Sequence, residues 1–146
     1  MPLGIPKAME EEHEELHAEL AKATKTRRKV GEAAKKVAEV LHPHFEKENE
    51  IALPVIGVAR ELAEGKTSPD FPKALELCDK FKAEYEKMLQ EHVGIVKTLD
   101  LLQKVAKTYK EKGVLEFVRK LKNHAKTEED LTYPAVLMVG RLLKPI

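Results

Sequence analysis

The sequence predicts an all-α fold, an antiparallel four-helix bundle. Apolar residues recur at helical spacing along nearly the whole 146-residue chain, and no sustained alternating strand pattern occurs. Ala, Glu, Lys, Leu and Val, mostly good helix formers, dominate the composition. The strongest breakers divide the chain into long segments joined by short links, as an antiparallel bundle requires.

The first helix is expected over about 6–28. Pro6 suits a first turn, and Glu10, Glu11 and Glu12 favour the positive end of the helix dipole. The second should begin near Gly31 and carry Val37, Val40, Leu41, His44, Glu48 and Ile51 on one side, with a bend at Pro43. Pro54 interrupts it, and a short extra helical segment over 55–64 should follow. The run Gly-Lys-Thr-Ser-Pro-Asp-Phe-Pro at 65–72 reads as the clearest loop. The third helix is expected over about 73–110, ended by Gly113. The fourth should start near Val114 and run through Phe117, Leu121, His124 and Glu128 to Pro134. A second short segment, about 135–143, closes the chain.

Composition narrows the function. The net charge is +1, which gives no long-range field to select nucleic acid or an anionic membrane. The longest apolar run, 51–59, is too short to span a bilayer and contains Pro54. One cysteine allows no internal disulfide, and the first residues lack the pattern of a secretory signal. The expected setting is cytoplasmic and reducing.

The chain repeats itself. His44-Phe-Glu-Lys-Glu48 and His124-Ala-Lys-Thr-Glu128 lie 80 residues apart, each with a leucine three residues before it (Leu41, Leu121) and a proline ten after (Pro54, Pro134). Upstream, Met9-x-x-Glu12-His13 matches Met88-x-x-Glu91-His92, with Leu20 and Leu99 in register. We read 1–146 as a single domain of two pseudo-repeats, about 6–64 and 73–143.

Residues i and i+4 share a helix face. Each His-x-x-x-Glu therefore aims an imidazole and a carboxylate the same way, and His13 and His92 complete a symmetric cluster. If both carboxylates bridge, each of two metals has two nitrogens and two oxygens. A bridging oxo or hydroxo group makes five, and an octahedral ion keeps one open position. Mixed N/O ligation without thiolate fits iron or manganese better than structural zinc.

These motifs resemble the hemerythrin-like (HHE cation-binding) family over nearly the whole chain. The order His, His-x-x-x-Glu, His, His-x-x-x-Glu is most similar to the di-iron domain of the repair-of-iron-centres family. Oxygen-carrying hemerythrins have His-x-x-x-His on the third helix, where this chain has Val96 after His92. The resemblance implies a hemerythrin-like bundle around two oxo- or hydroxo-bridged iron ions, with manganese or a mixed pair as variants. It implies the ligands His13, His44, Glu48, His92, His124 and Glu128, with Glu48 and Glu128 bridging.

His17, one turn after His13, admits two readings: an additional ligand, or an imidazole lying behind the ligands. His42, two residues from His44, should point away from the site. Leu16, Met88, Val96, Tyr85 and Tyr133 are the expected pocket wall. Gly94 reads as room for a small molecule or for close helix contact, and Cys78 as a small buried hydrophobe. The expected function is a di-iron protein that binds or senses O₂ or NO, or takes part in iron handling or iron-centre repair. The alternatives are a di-iron enzyme acting on NO or peroxide and a metal-free helical interaction protein. No residue identifies a redox partner.

Overall fold

The computed structural model describes residues 3–144, so the ends of the expected 1–146 domain lie outside the described residues. Among the described residues seven α-helices run in order: α1 Lys7–Thr24, α2 Arg28–Ile51, α3 Leu53–Ile56, α4 Ala59–Ala63, α5 Phe71–Thr108, α6 Lys112–Thr127 and α7 Tyr133–Leu143. A π-helical turn, Glu128–Thr132, joins α6 to α7. No strand occurs among the described residues. Helix α1 packs on α2, α2 on α5, α5 on α6 and α6 back on α1, closing a four-helix ring.

Each long helix buries a stripe at three- and four-residue spacing. His13, Leu16, Leu20 and Ala23 form it on α1; Val114, Phe117, Val118, Leu121 and Ala125 form it on α6. These stripes meet in two separate cores. One gathers Leu16, Leu20, Val37, Leu41, Phe45, Ile95, Leu99, Phe117 and Leu121. The other gathers Ile51, Val55, Leu77, Phe81, Met88, Tyr133 and Val136, beneath α3 and α7. Helix α2 passes from the first core to the second, and α5 returns from the second to the first, so the two are antiparallel. His44 and Glu48 on α2, and His92 on α5, fall between the cores. The functional residues thus form a polar layer sealed above and below by apolar packing.

Several boundaries differ from the sequence reading. Helix α1 stops at Thr24, and α2 begins at Arg28, before Gly31. A Cβ on Gly31 would stand 2.8 Å from the Thr24 carbonyl oxygen, so glycine permits this tight turn between helices. Helix α2 runs unbroken through Pro43. The segment after Pro54 is two short helices, α3 and α4. Helix α5 ends at Thr108, two residues before Lys110, whose φ of 56° is left-handed, while Gly113 lies inside the first turn of α6. Both prolines of the repeat occupy the first turn of a new helix, where no intrahelical donor is needed. The two repeats then part. The first breaks at Ala52, whereas the second stays helical by widening into the π turn, whose last N–H, from Tyr133, donates to the Glu128 carbonyl. Such turns are frequent at functional sites.

Candidate metal centre

Six side chains from α1, α2, α5, α6 and the π turn converge. Their donor atoms form two groups, His13–Glu48–His124–Glu128 and His44–Glu48–His92–Glu128, with the atoms of each group within 4.8 Å of one another. Glu48 and Glu128 belong to both because each divides its oxygens. Glu48 Oε1 is 3.5 Å from His13 Nε2, and Oε2 is 3.3 Å from His44 Nε2. Glu128 Oε2 is 3.8 Å from His13 Nε2 and 3.2 Å from His124 Nε2, while Oε1 is 3.2 Å from His92 Nε2. Apart from His124, which is partly exposed, these side chains are buried: Glu48 is 0% exposed and Glu128 3%.

Three of the four histidines are oriented by an outer carboxylate. Glu91 lies 2.8 Å from His44 Nδ1, Glu129 lies 3.1 Å from His92 Nδ1, and Glu12 contacts His124 Nδ1. An Nδ1–H donating outward leaves the Nε2 lone pair aimed at the cluster, the tautomer a metal-binding imidazole needs. Lys47 holds Glu91 at 2.7 Å. Glu12 and Glu91 hold the same repeat position, and each supports the His-x-x-x-Glu histidine of the opposite half. The sequence reading missed them as site residues, although the repeated Glu-His pair carried the signal. Glu129 left no such trace, since Asn49 stands at its repeat position. His13 has no outer partner for Nδ1; its ring lies flat on Phe45, with centroids 3.9 Å apart.

Electrostatics show what this arrangement costs without a cation. Burial and the adjacent Glu128 carboxylate push the Glu48 carboxyl up to about 7. Burial opposes ionisation of Glu128 too, but the neighbouring Glu48 carboxyl and the His124, His13 and His92 imidazoles override it and hold that carboxyl well below the usual range. The two shifts run in opposite directions, so without a metal the pair releases its second proton later than an isolated carboxyl would. Burial lowers His124, but the Glu128 and Glu12 carboxylates outweigh it and raise the imidazole to about 9. His44 is likewise raised, its burial outweighed by Glu48 and Glu91.

The donor set fits metal ions. Glu48 Oε1, His124 Nε2 and Glu128 Oε2 are buried and lack any hydrogen-bond partner, an expensive condition unless a cation satisfies them. His44 Nε2 and His92 Nε2 face each other at 3.0 Å, and with both Nδ1 atoms protonated these are two opposed lone pairs. Two donors each about 2.1 Å from one cation stand about 3.0 Å apart at a right angle and about 3.4 Å at the tetrahedral angle. The Nε2–oxygen separations of 3.2–3.8 Å run close to that span.

Other expected residues fall elsewhere. His17 belongs to neither group; its ring stacks on His42 at 4.7 Å and meets Phe45 edge-on at 5.0 Å. The phenyl of Phe45 lies against both His13 and His17, so the extra turn along α1 carries His17 past the cluster. His42, exposed, lies outside both donor groups with its ring against His17. Leu16 lines a groove of about 280 Å³ together with His124, whereas Met88 is wholly buried in the second core. Val96 is half-buried on α5, outside both donor groups. Tyr85 lines a separate 370 Å³ cavity beside Cys78 and Arg141, and Cys78 is buried and free. A Cβ on Gly94 would meet nothing within 4 Å, so no neighbouring helix depends on its absence. Tyr133, expected only as a wall, reaches the cluster: its hydroxyl donates to Glu48 Oε2 at 2.5 Å and lies 3.1 Å from Nε2 of both His44 and His92.

A closed four-helix ring with buried His and Glu in two groups that could hold metal ions defines a cation-binding helical bundle. The family model for the hemerythrin HHE cation binding domain matches residues 4–136, and the chain belongs to that family. No curated protein and no solved structure matches the chain significantly. Among the described residues no helix is long and apolar enough to cross a membrane.

Proposed function

We propose that this chain holds two iron ions, one ligated by His13 and His124 and the other by His44 and His92, with Glu48 and Glu128 bridging. The carrying observation is that each carboxylate offers one oxygen to each histidine pair. Imidazole and carboxylate donors without thiolate support iron, with manganese or a mixed pair as the nearest substitutes.

Bound there, such a pair supplies reversible redox chemistry and open positions for a small diatomic, O₂ or NO. We assign binding or sensing of that diatomic, or a part in iron handling or iron-centre repair, as the function, and a cytoplasmic, reducing setting fits the single buried Cys78. The protein's own residues hold and shield the centre. Glu91, Glu129 and Glu12 fix three imidazoles in the ligating tautomer. Phe45 and Tyr133, both buried, help exclude water. The Tyr133 hydroxyl donates a hydrogen bond to Glu48 Oε2.

The reading is tested by loading the purified protein with ferrous iron under argon and recording absorption spectra before and after O₂ or NO is added. Uptake of iron followed by a near-ultraviolet change on exposure is expected. A protein that takes up no iron, or whose ferrous spectrum neither gas alters, would rule it out.

A further inference from the structure

The cavity of about 370 Å³ lies apart from the metal centre, in the cleft between α5 and α7. None of the residues that line it belongs to either donor group. The two helices run antiparallel there. The Tyr85 ring meets that of Tyr133 at 6.3 Å, Cys78 Sγ donates to the Val136 carbonyl at 3.4 Å, and Lys144 Nζ lies 3.9 Å from Asp79. A Cβ on Gly140 would collide with Cys78 Sγ, so glycine lets the floor of the cleft close.

The cavity changes character along its length. At the end nearest Tyr133, the half-buried Tyr85, Pro134 and Leu137 bring mainly carbon. From the middle to the other end stand Lys82, Arg141 and Lys144, all exposed, with one carboxylate, Asp79. Three cations against one anion leave an excess of two positive charges at one cavity, in a chain whose net charge is only +1. Among the described residues Lys82 and Arg141 form no ion pair, and Lys144 has only its 3.9 Å contact. The 280 Å³ groove differs, because both cations lining it are paired: Lys120 with Glu15 and Glu19, and Arg119 with Glu116.

We propose that this cleft binds a small straight-chain carboxylate, its tail toward Tyr85 and its headgroup at Arg141 and Lys82. The volume suits one: at about 30 Å³ per water it has room for roughly twelve water-sized groups, within the ordinary range of small-molecule pockets. The length suits an extended chain, since the seven residues from Pro134 to Arg141 span about 10 Å of helix. The guanidinium of Arg141 presents paired donors that match a carboxylate. Met138, 62% exposed at the rim, is a flexible side chain that can fold over a tail. A ligand with the same tail and no charge gives up the cations, and one with a positive charge is repelled by them.

The test titrates octanoate into the full chain by calorimetry, once in chelator and once after iron loading, which separates a carboxylate in the cleft from one on a metal. One octanoate per chain is expected in both. Octanol, octylammonium and butanoate should each bind at least tenfold more weakly. Arg141→Glu and Lys82→Glu, both at exposed positions, should each weaken octanoate at least tenfold. Octanoate should shift the methyl resonance of Met138 and leave in place that of Met9, which lies beside His13 and His124. No saturable binding, equal affinity for octylammonium, or unchanged affinity in both charge-reversed variants would overturn the proposal. Binding seen only with iron would put the carboxylate on the metal, and a dimer that octanoate cannot dissociate would give the cleft to a second copy; either result overturns it as well. Should a variant fail to fold, the series of tails and headgroups on the parent protein decides alone.

Discussion

Replacing Glu48 by glutamine should stabilise the metal-free protein and destroy its response to metal. Glu48 is fully buried beside Glu128, and its carboxyl is raised from 4.5 to about 7. A folded-state value above the unfolded one means that the fold is favoured while the group keeps its proton. That contribution is complete below about 4.5 and lost as pH rises through 7. At pH 8 the difference penalises the fold by about 3 kcal/mol, and at pH 5 by only about 1 kcal/mol. Glutamine has nearly the same shape, still accepts from the Tyr133 hydroxyl and carries no charge. Urea unfolding in chelator should therefore show Glu48→Gln more stable than the parent by roughly 2–3 kcal/mol at pH 8, with most of the gain gone at pH 5. Added metal should raise the unfolding midpoint of the parent and leave that of Glu48→Gln unchanged, because an amide cannot bridge two cations. Equal or lower stability of Glu48→Gln at pH 8 in chelator would refute the view that a buried, uncompensated carboxylate pair is held in place for a cation.

The parent protein without metal should lose stability steadily from pH 5 to 9. Glu48 releases its proton near 7, and His124, raised from 6.5 to about 9, releases its own later than the unfolded chain does. Metal affinity should rise over the same window, because both groups must be deprotonated to ligate; calorimetry in buffers of different ionisation enthalpy would register the released protons. Glu91→Ala and Glu12→Ala should each weaken metal binding about 10- to 100-fold, with little change in the unfolding of the metal-free protein, as competition with a chromophoric chelator would measure. A Cβ on Gly140 would lie 2.1 Å from Cys78 Sγ, so Gly140→Ala should cost about 1–3 kcal/mol in thermal unfolding, and adding Cys78→Ala should recover much of it. No recovery in the double variant would place the strain elsewhere.

The fold class was legible because its signals are local: helical periodicity, few breakers and a repeat marked by paired prolines. Helix ends were less so, for physical reasons. Lys110 adopts a left-handed conformation that sequence statistics reserve mainly for glycine, and Gly113 proved compatible with a first turn. The spacing of His44 to Glu48 and of His124 to Glu128 made a shared helix face readable, since i and i+4 need no tertiary information. Which lone histidine meets which pair does need it, and so does the role of Tyr133. From sequence alone a tyrosine beside Pro134 reads as core; only the packing of α7 against α5 and α3 turns its hydroxyl onto Glu48. His17 falls outside both donor groups for the complementary reason. Its helical spacing from His13 is right for a ligand, but Phe45, a neighbour in space, fills the ground between.

Counting metal ions per chain is the most direct measurement. Iron-loaded protein freed of excess metal and analysed by mass spectrometry for metal and protein should contain two ions per chain. His13→Ala/His124→Ala and His44→Ala/His92→Ala should each lower that number, while His17→Ala should leave it at two. A parent protein that retains no ion or one, or a His17→Ala variant that loses one, would contradict a paired centre built on two shared carboxylates.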